Sequence, residues 1–447
     1  MRSVVIYVDP DTAVHTMQGG IGASLHAMDA PIDGHAGSGW GANPHPDDEA
    51  AWKALFAHAD WLGLDWCRVE IQQHMYEPER GRFEWDGLEM RALYRILDWA
   101  ESRGVDVFLQ QMWQNVRWNA YPEFQSEQKL WLKSAPVDME AFAEGYAAMA
   151  EHLVKRRAYR SVKWFSITNE PGWDWSWWLV PPKTPTSITP GLTAVRAALD
   201  RRGVTVPLSG PDWTDLPALY PANFDFEPLI GAYDIHSYYA RPAWHQGQGF
   251  PMDEGLGRLS DWTAWAHAKG KPLFLSELGS MTFGWGSSDP NPGGYLANLQ
   301  NAAMIVEALR RGVDAVNRWS FTNRGNLDGQ WQLVDTWDPV ANRMLDRATP
   351  HPNAYFLFGI VSRFVAARST VLETKVKGGV LDGLARVHAV AVRSPRGALT
   401  LVMVNDGPEP LDVSLELPRD RPWYRYAVTE ADKDRADVAL APTLLAA

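Results

Sequence analysis

Two glutamates carry the chemistry this sequence offers. Glu170 follows the apolar run Trp164-Phe165-Ser166-Ile167-Thr168-Asn169, and Glu277 follows Pro272-Leu273-Phe274-Leu275-Ser276. Both runs read as short buried strands, so each carboxylate is expected at a strand's C-terminal end. Pro171 cannot donate to a ladder and stops the first strand. Two carboxylates held across one anomeric carbon are what glycoside hydrolysis requires. A separation of about 5–5.5 Å implies double displacement with retention; about 6.5–9.5 Å leaves room for a water and implies inversion. Alone, Asn169-Glu170-Pro171 reads equally well as an exposed Glu before a turn, and the surrounding elements decide.

Those elements alternate. Strands are expected at Gly19–Ser24, Leu64–Glu70, Val105–Gln111, Trp164–Glu170, Val204–Ser209, Tyr233–Tyr238, Pro272–Glu277 and Val313–Phe321. Helical periodicity fills Asp47–Leu62, Leu88–Arg103, Asp138–Arg157, Thr189–Arg202, Leu256–Ala268, Tyr295–Arg311 and Pro352–Val365. This order predicts an α/β fold, a (β/α)8 TIM barrel over residues 19–365. A doubly wound open sheet is the alternative, but Gly19-Gly20-Ile21-Gly22 lacks phosphate-loop spacing. After residue 366 the period changes to two. Ser369–Val376, Ala385–Arg393, Leu399–Asn405, Leu411–Leu417 and Tyr424–Thr429 predict an antiparallel β-sandwich domain over 366–447. Within residues 1–18, the strand Val4–Val8 is expected to join it.

A barrel gathers the C-terminal ends of its strands around one mouth. Arg68 and Glu70, Trp113 and Gln114, Asn169 and Glu170, Asp212 and Trp213, His236 and Tyr238, Glu277, and Trp319 all fall there. Each has a plainer reading. Arg68 could simply pair with Glu70, His236 could be a core histidine, and Tyr238 and Trp319 could be packing. Glu70, Asp212 and Asp215 could bind sugar hydroxyls or be solvated loop acids.

Taken together, Asn169-Glu170-Pro171, Ser276-Glu277, His236-Ser237-Tyr238, Arg68 and Trp319 resemble clan A of the retaining glycoside hydrolases. The likeness covers roughly residues 19–365. A barrel with a C-terminal sandwich resembles families 30 and 39, and the His-x-Tyr and Arg resemble family 5. The His that family 5 carries after strand three is absent here, where Gln111, Trp113 and Gln114 stand. The resemblance implies that Glu170 is the acid/base and Glu277 the nucleophile, kept ionised by Arg68 and Tyr238. It also implies that Asn169 bonds the sugar 2-hydroxyl, that His236 bonds Glu170 or the substrate, and that Trp319 floors the site.

Composition narrows the partners. The 23 tryptophans include Trp113, Trp118, Trp173, Trp175, Trp177, Trp178, Trp213, Trp244, Trp285 and Trp331, all expected in loops. Flat rings with a polar edge suit sugar faces, so Trp113 and Trp173 join the expected substrate-binding set. A net charge of −12 disfavours nucleic acid and anionic membranes. The single cysteine, Cys67, permits no disulfide within the chain. Val4–Val8 is too short for a signal core or a membrane span, so a soluble cytoplasmic protein is expected. His26, His35 and His45 are expected in the first loop, without metal-ligand spacing. No cofactor, metal, phosphate loop or nucleophile elbow is expected, and the composition names no oligomeric state.

These observations predict a retaining β-glycosidase acting on β-linked glycosides or short oligosaccharides. Exo action is expected if the loops His26–Pro46, Trp113–Pro136 and Trp173–Pro190 wall a pocket. The alternatives are an endo-acting glucanase, xylanase or mannanase, a transglycosidase, and, more distantly, a noncatalytic carbohydrate-binding barrel. The last should lack one carboxylate.

Overall fold

A computed structural model describes residues 3–445, apart from 28–40, 125–131, 173–176, 215–223, 241–249, 281–292, 325–329, 382–383, 408, 418–421, 434 and 436–439. Parallel pairing runs round a closed ring. The first barrel strand comes in two pieces, Ile21–Ala23 and Leu25–His26. The others are Trp66–Gln72, Asp106–Trp113, Val162–Ser166, Ser209–Trp213, Ala232–Ala240, Leu273–Ser280 and Ala315–Arg318. Leu25 pairs with Val69, Trp66 with Asp106, and Leu109 with Phe165. A single bridge from Phe165 to Leu208 joins strands four and five. Tyr233 pairs with Gly210, Asp234 with Phe274, and Phe274 with Ala315. Val316 pairs with Ile21 and closes the ring.

Local chemistry sets the helix ends. Asp48 accepts from the Ala51 N–H at the start of helix Glu49–Leu62, and Gly63, at φ 64°, ends it. Asp138 caps Met139–Glu151 in the same way, accepting from the Ala141 N–H. Gly22 is needed for closure: a Cβ there would lie 1.3 Å from the Trp66 carbonyl oxygen.

Strand five differs from expectation. Val204–Ser209 was the expected span, but pairing runs through Ser209–Trp213. The backbone of 204–206 is already spent on the preceding helix. The Val204 N–H donates to Leu199 O, and Arg196 donates to the carbonyls of Val204 and Val206. Strand four ends at Ser166, so Asn169 and Glu170 stand just beyond it.

Period two layers the barrel interior. Trp66, Phe108, Ala232, Phe274 and Ala315, with Trp164, make an apolar floor. Two residues further along the same strands come Arg68, Gln110, Asp234, Ser276 and Asn317, all fully buried. The barrel is therefore dry below and polar above.

The N-terminal strand, Ser3–Thr16, runs longer than Val4–Val8. It lies between Thr370–Lys377 and Asp412–Glu416 in a five-stranded sheet with Val387–Arg393 and Leu399–Asn405. Val371, Val390, Val392, Val402 and Val404 on this sheet belong to the main core. Val4, Ile6, Val387 and Ala389 form a separate cluster with Leu411 and Leu415. Of Tyr424–Thr429 only Tyr424–Arg425 is strand, paired with Thr443–Leu444. A hairpin, Val334–Asp338 with Arg343–Pro350, was not expected from the sequence. Among the described residues, no helix is long and apolar enough to cross a membrane.

Candidate active site

The upper polar layer and the strand ends converge on one histidine. His236, fully buried on strand six, places Nδ1 2.8 Å from Glu170 Oε1 and 2.6 Å from Glu277 Oε2. Its Nε2 lies 2.8 Å from Asp212 Oδ1. One oxygen each of Glu170 and Glu277 lie within 4.8 Å of one another and of that ring. Strands four and seven are on opposite sides of the ring, and their carboxylates meet across its axis.

Arg68 ties the layer together. Nη1 donates to Glu70 Oε1 at 2.6 Å and to Glu277 Oε1 at 3.3 Å, and Nη2 donates to Asn169 Oδ1 at 2.6 Å. Arg68 therefore does both things the sequence allowed, pairing with Glu70 and reaching the strand-seven carboxylate. Gln110 Nε2 donates to Asn169 Oδ1 at 3.0 Å and to Asp212 Oδ2 at 2.6 Å. The Asn169 oxygen is thus held from two sides. Tyr238 donates its hydroxyl to Glu277. Trp319 clusters with Tyr238 and Trp331 at the mouth, with the Arg68 guanidinium 5.9 Å from its ring centroid.

The two glutamates are driven apart electrostatically. Burial pushes Glu170 up to about 7; His236 opposes this, and the charges of Glu277 and Asp212 reinforce it. Burial would also raise Glu277, but His236, Arg68 and Tyr238 outweigh it and bring the group down to about 2. Burial works against a charge on His236, yet Glu277 and Asp212 hold it well above the ordinary histidine range. Below them Asp234 is pushed well up by burial and by Asp212.

Gln110 is not among the strand-end residues expected from the sequence; its inward position on strand three is the signal for it. Asp212 and Glu70 are 1% and 0% exposed, so neither is a solvated loop acid. Asp215 lies outside the described residues. His26 is in strand one, not in a loop, and is fully buried with Nδ1 2.8 Å from Glu70 Oε2. Its ring meets Trp319 edge-on at 5.0 Å.

One tryptophan expectation needs correction: Trp113 ends strand three rather than lying in a loop. It is 2% exposed, sits in the main core and packs edge-on against Trp177. Trp178 and Trp331 are likewise buried, Trp178 in the main core and Trp331 in the cluster with Tyr238 and Trp319. Trp173, Trp175, Trp244 and Trp285 lie outside the described residues.

Among the described residues, two groups place enough ligating atoms together to hold a metal: Glu170, His236 and Glu277 at the mouth, and His15, His267 and Asp314. In the second, both histidine Nε2 atoms sit 2.9 Å from Asp314 oxygens, a hydrogen-bonded knot of three elements.

A closed eight-stranded barrel with two opposed carboxylates at its mouth defines a glycoside hydrolase of clan A. The Cellulase (glycosyl hydrolase family 5) model matches residues 24–325, and the chain belongs to that family. No curated protein matches it. Among solved structures, a conserved exported protein from Bacteroides fragilis is 13% identical, with TM-score 0.64 and coverage of 99% of this chain and 97% of that one. The catalytic domain of GH30 xylanase C from Talaromyces cellulolyticus is 13% identical, with TM-score 0.58 and coverages of 98% and 94%. A GH39 β-xylosidase from Caulobacter crescentus is 16% identical, with TM-score 0.53 and coverages of 94% and 85%. At these identities the structural likenesses speak for the fold alone.

Proposed function

We propose that the protein is a retaining β-glycosidase acting on β-linked glycosides or short oligosaccharides, with Glu170 as acid/base and Glu277 as nucleophile. The observation that carries this is the pair itself: carboxylate oxygens within 4.8 Å, one group protonated to about 7 and the other ionised down to about 2. So close an approach of one oxygen from each group favours double displacement over inversion, which needs the two carboxyl groups about 6.5–9.5 Å apart.

In the first step Glu277 attacks the anomeric carbon while Glu170 gives its proton to the glycosidic oxygen, and the C–O bond to the leaving group breaks. The sugar is then esterified to Glu277, whose negative charge is gone. Glu170 has lost a repulsive neighbour, so its pKa falls. It then takes a proton from water, which attacks the same carbon and releases Glu277. Arg68 and Gln110 occupy the Asn169 oxygen, which leaves Nδ2 to donate to a 2-hydroxyl. Trp319 floors the reacting sugar.

We read residues 19–365 as the catalytic unit, with 1–18 and 366–447 as a β-sandwich bracing it. The separate apolar cluster on the sheet's second face calls for such a cover. Exo action is our first reading. Endo action is the second.

The test is a panel of aryl β-glycosides with wild type, Glu170→Ala and Glu277→Ala. Glu277→Ala should lose about 10⁴-fold or more in kcat. Glu170→Ala should be partly spared on activated leaving groups and recover with azide. Activity surviving Glu277→Ala would sink the assignment. Proton NMR should show the β anomer first, and α would overturn retention. Activity on polymers but on no monosaccharide glycoside would select the endo reading.

A further inference from the structure

Next to the acid in the chain, a cavity opens. It measures about 390 Å³ and is walled by Pro171, Gly172, Ile188, Trp213, Phe224 and Phe226. Its wall begins at the residue after Glu170, and it includes the neighbour of Asp212, which faces His236. Its volume falls within the range of small-ligand sites, about 300–1,000 Å³.

The lining has a distinctive chemistry. Trp213 meets Phe224 and Phe226 edge-on, with centroids 5.5 and 5.8 Å away, and the two Phe rings stack at 5.1 Å. Among the described residues, no cation lines the cavity. Among the described lining residues the one carboxylate, Asp225, is exposed and already accepts from Thr189 Oγ1 at 2.8 Å. The other side-chain polar groups, apart from the Trp213 indole N–H, are the hydroxyls of Thr186 and Ser187. A sugar ring in a binding subsite needs several placed hydrogen bonds, and the described walls are mainly apolar. An aromatic ring needs only apolar surface and edge-to-face partners.

We propose that this cavity receives an aromatic aglycone, the leaving group that Glu170 protonates. The inference rests on Glu170 being the acid, because only then does the cavity lie on the leaving-group side. It makes the preferred substrates aryl glycosides rather than saccharides extended by further sugars.

Two rim substitutions, Ser187→Trp and Thr186→Phe, fill the cavity from its mouth. Both should melt within about 2 °C of wild type, as rim changes should. Calorimetry with 2-naphthol should show saturable one-to-one binding to wild type, weakened at least about ten-fold in both variants. The ratio of kcat/KM for the 2-naphthyl and methyl glycosides of one sugar should fall by a similar factor. Unchanged naphthol affinity and an unchanged ratio in both folded variants would overturn the proposal while leaving the glycosidase reading intact. No naphthol binding by wild type would overturn it as well. Binding lost in the variants of a protein that hydrolyses no glycoside would support the aromatic cavity and sink the glycosidase reading instead.

Discussion

At the residue scale, one imidazole does the work of separating two carboxylates. His236 stands between Glu170 and Glu277 and is itself held charged by Glu277 and Asp212. Glu170 must be protonated to act, so kcat/KM should fall as pH rises through about 7. Glu277 must be ionised, and at about 2 it sets no limb in the ordinary carboxylate range. A pH–rate profile with an acidic limb near 4.5, the value of an unperturbed Glu, would contradict this pairing. Arg68 is the other hinge of the site. Its fork reaches Glu70, Glu277 and Asn169 at once. Arg68→Met should cost about 3–5 kcal/mol through the buried charges it leaves unpaired, with a deep loss of kcat. Arg68→Lys should not rescue it, because an ammonium cannot fork. Chemical denaturation with parallel kinetics checks both, and full activity in Arg68→Lys would refute the fork argument.

At the element scale, position along a strand decides what a side chain can do. On strand two, Trp66 lies in the apolar floor, Arg68 in the polar layer and Glu70 above it, two residues apart each time. The same alternation carries strand three from Phe108 to Gln110. Closure of the ring depends on the first strand lying tight against the second. Gly22→Ala would put a methyl 1.3 Å from the Trp66 carbonyl oxygen, and the backbones would have to part. This substitution should destabilise by more than about 3 kcal/mol. Thermal unfolding of Gly22→Ala measures it, and a melting point near wild type would mean the first strand need not lie tight against the second.

At the scale of the whole molecule, the five-stranded sheet is joined to the barrel by a buried charge cluster. His388 Nδ1 lies 2.8 Å from Glu307 Oε1 on helix Tyr295–Arg310, and Arg310 and Arg311 also pair with Glu307. Burial opposes the charge on Glu307, but His388 and the two arginines bring it down to about 2. Burial likewise opposes the charge on His388, and Asp406 and Glu307 raise it. The lowered Glu307 adds stability above the unfolded value near 4.5, lost as pH falls toward 2. The raised His388 adds stability in full below the unfolded value near 6.5, lost as pH rises through its folded value. The cluster therefore holds best between about 4.5 and 6.5. His388→Gln should flatten the decline in melting temperature above that window. An unchanged slope from calorimetric scans across pH would show that the cluster does not couple the two parts.

Much was legible without coordinates. Helix and strand periods are local, so the order of elements and the strand-end positions of Glu170, Glu277, His236 and Arg68 could be read directly. Strand five could not, because Arg196 and Leu199 take up the backbone of 204–206 only once the helix is folded. Nor could the setting of Trp113, because a ring's type does not say which way it faces, and Trp113 ends strand three and packs in the main core. The sequence by itself determined which residues bear the chemistry, since composition and alternation are written along the chain. Only the tertiary structure decided their electrostatics. The network of His26, Glu70, Gln110, Asp212 and His236 joins five strands, and charges act through space, not along the chain. The backbones of Glu170 and Asp212, at φ 42° and 60°, are likewise held in left-handed conformations, which cost about 1–3 kcal/mol each and persist only where the surrounding packing imposes them.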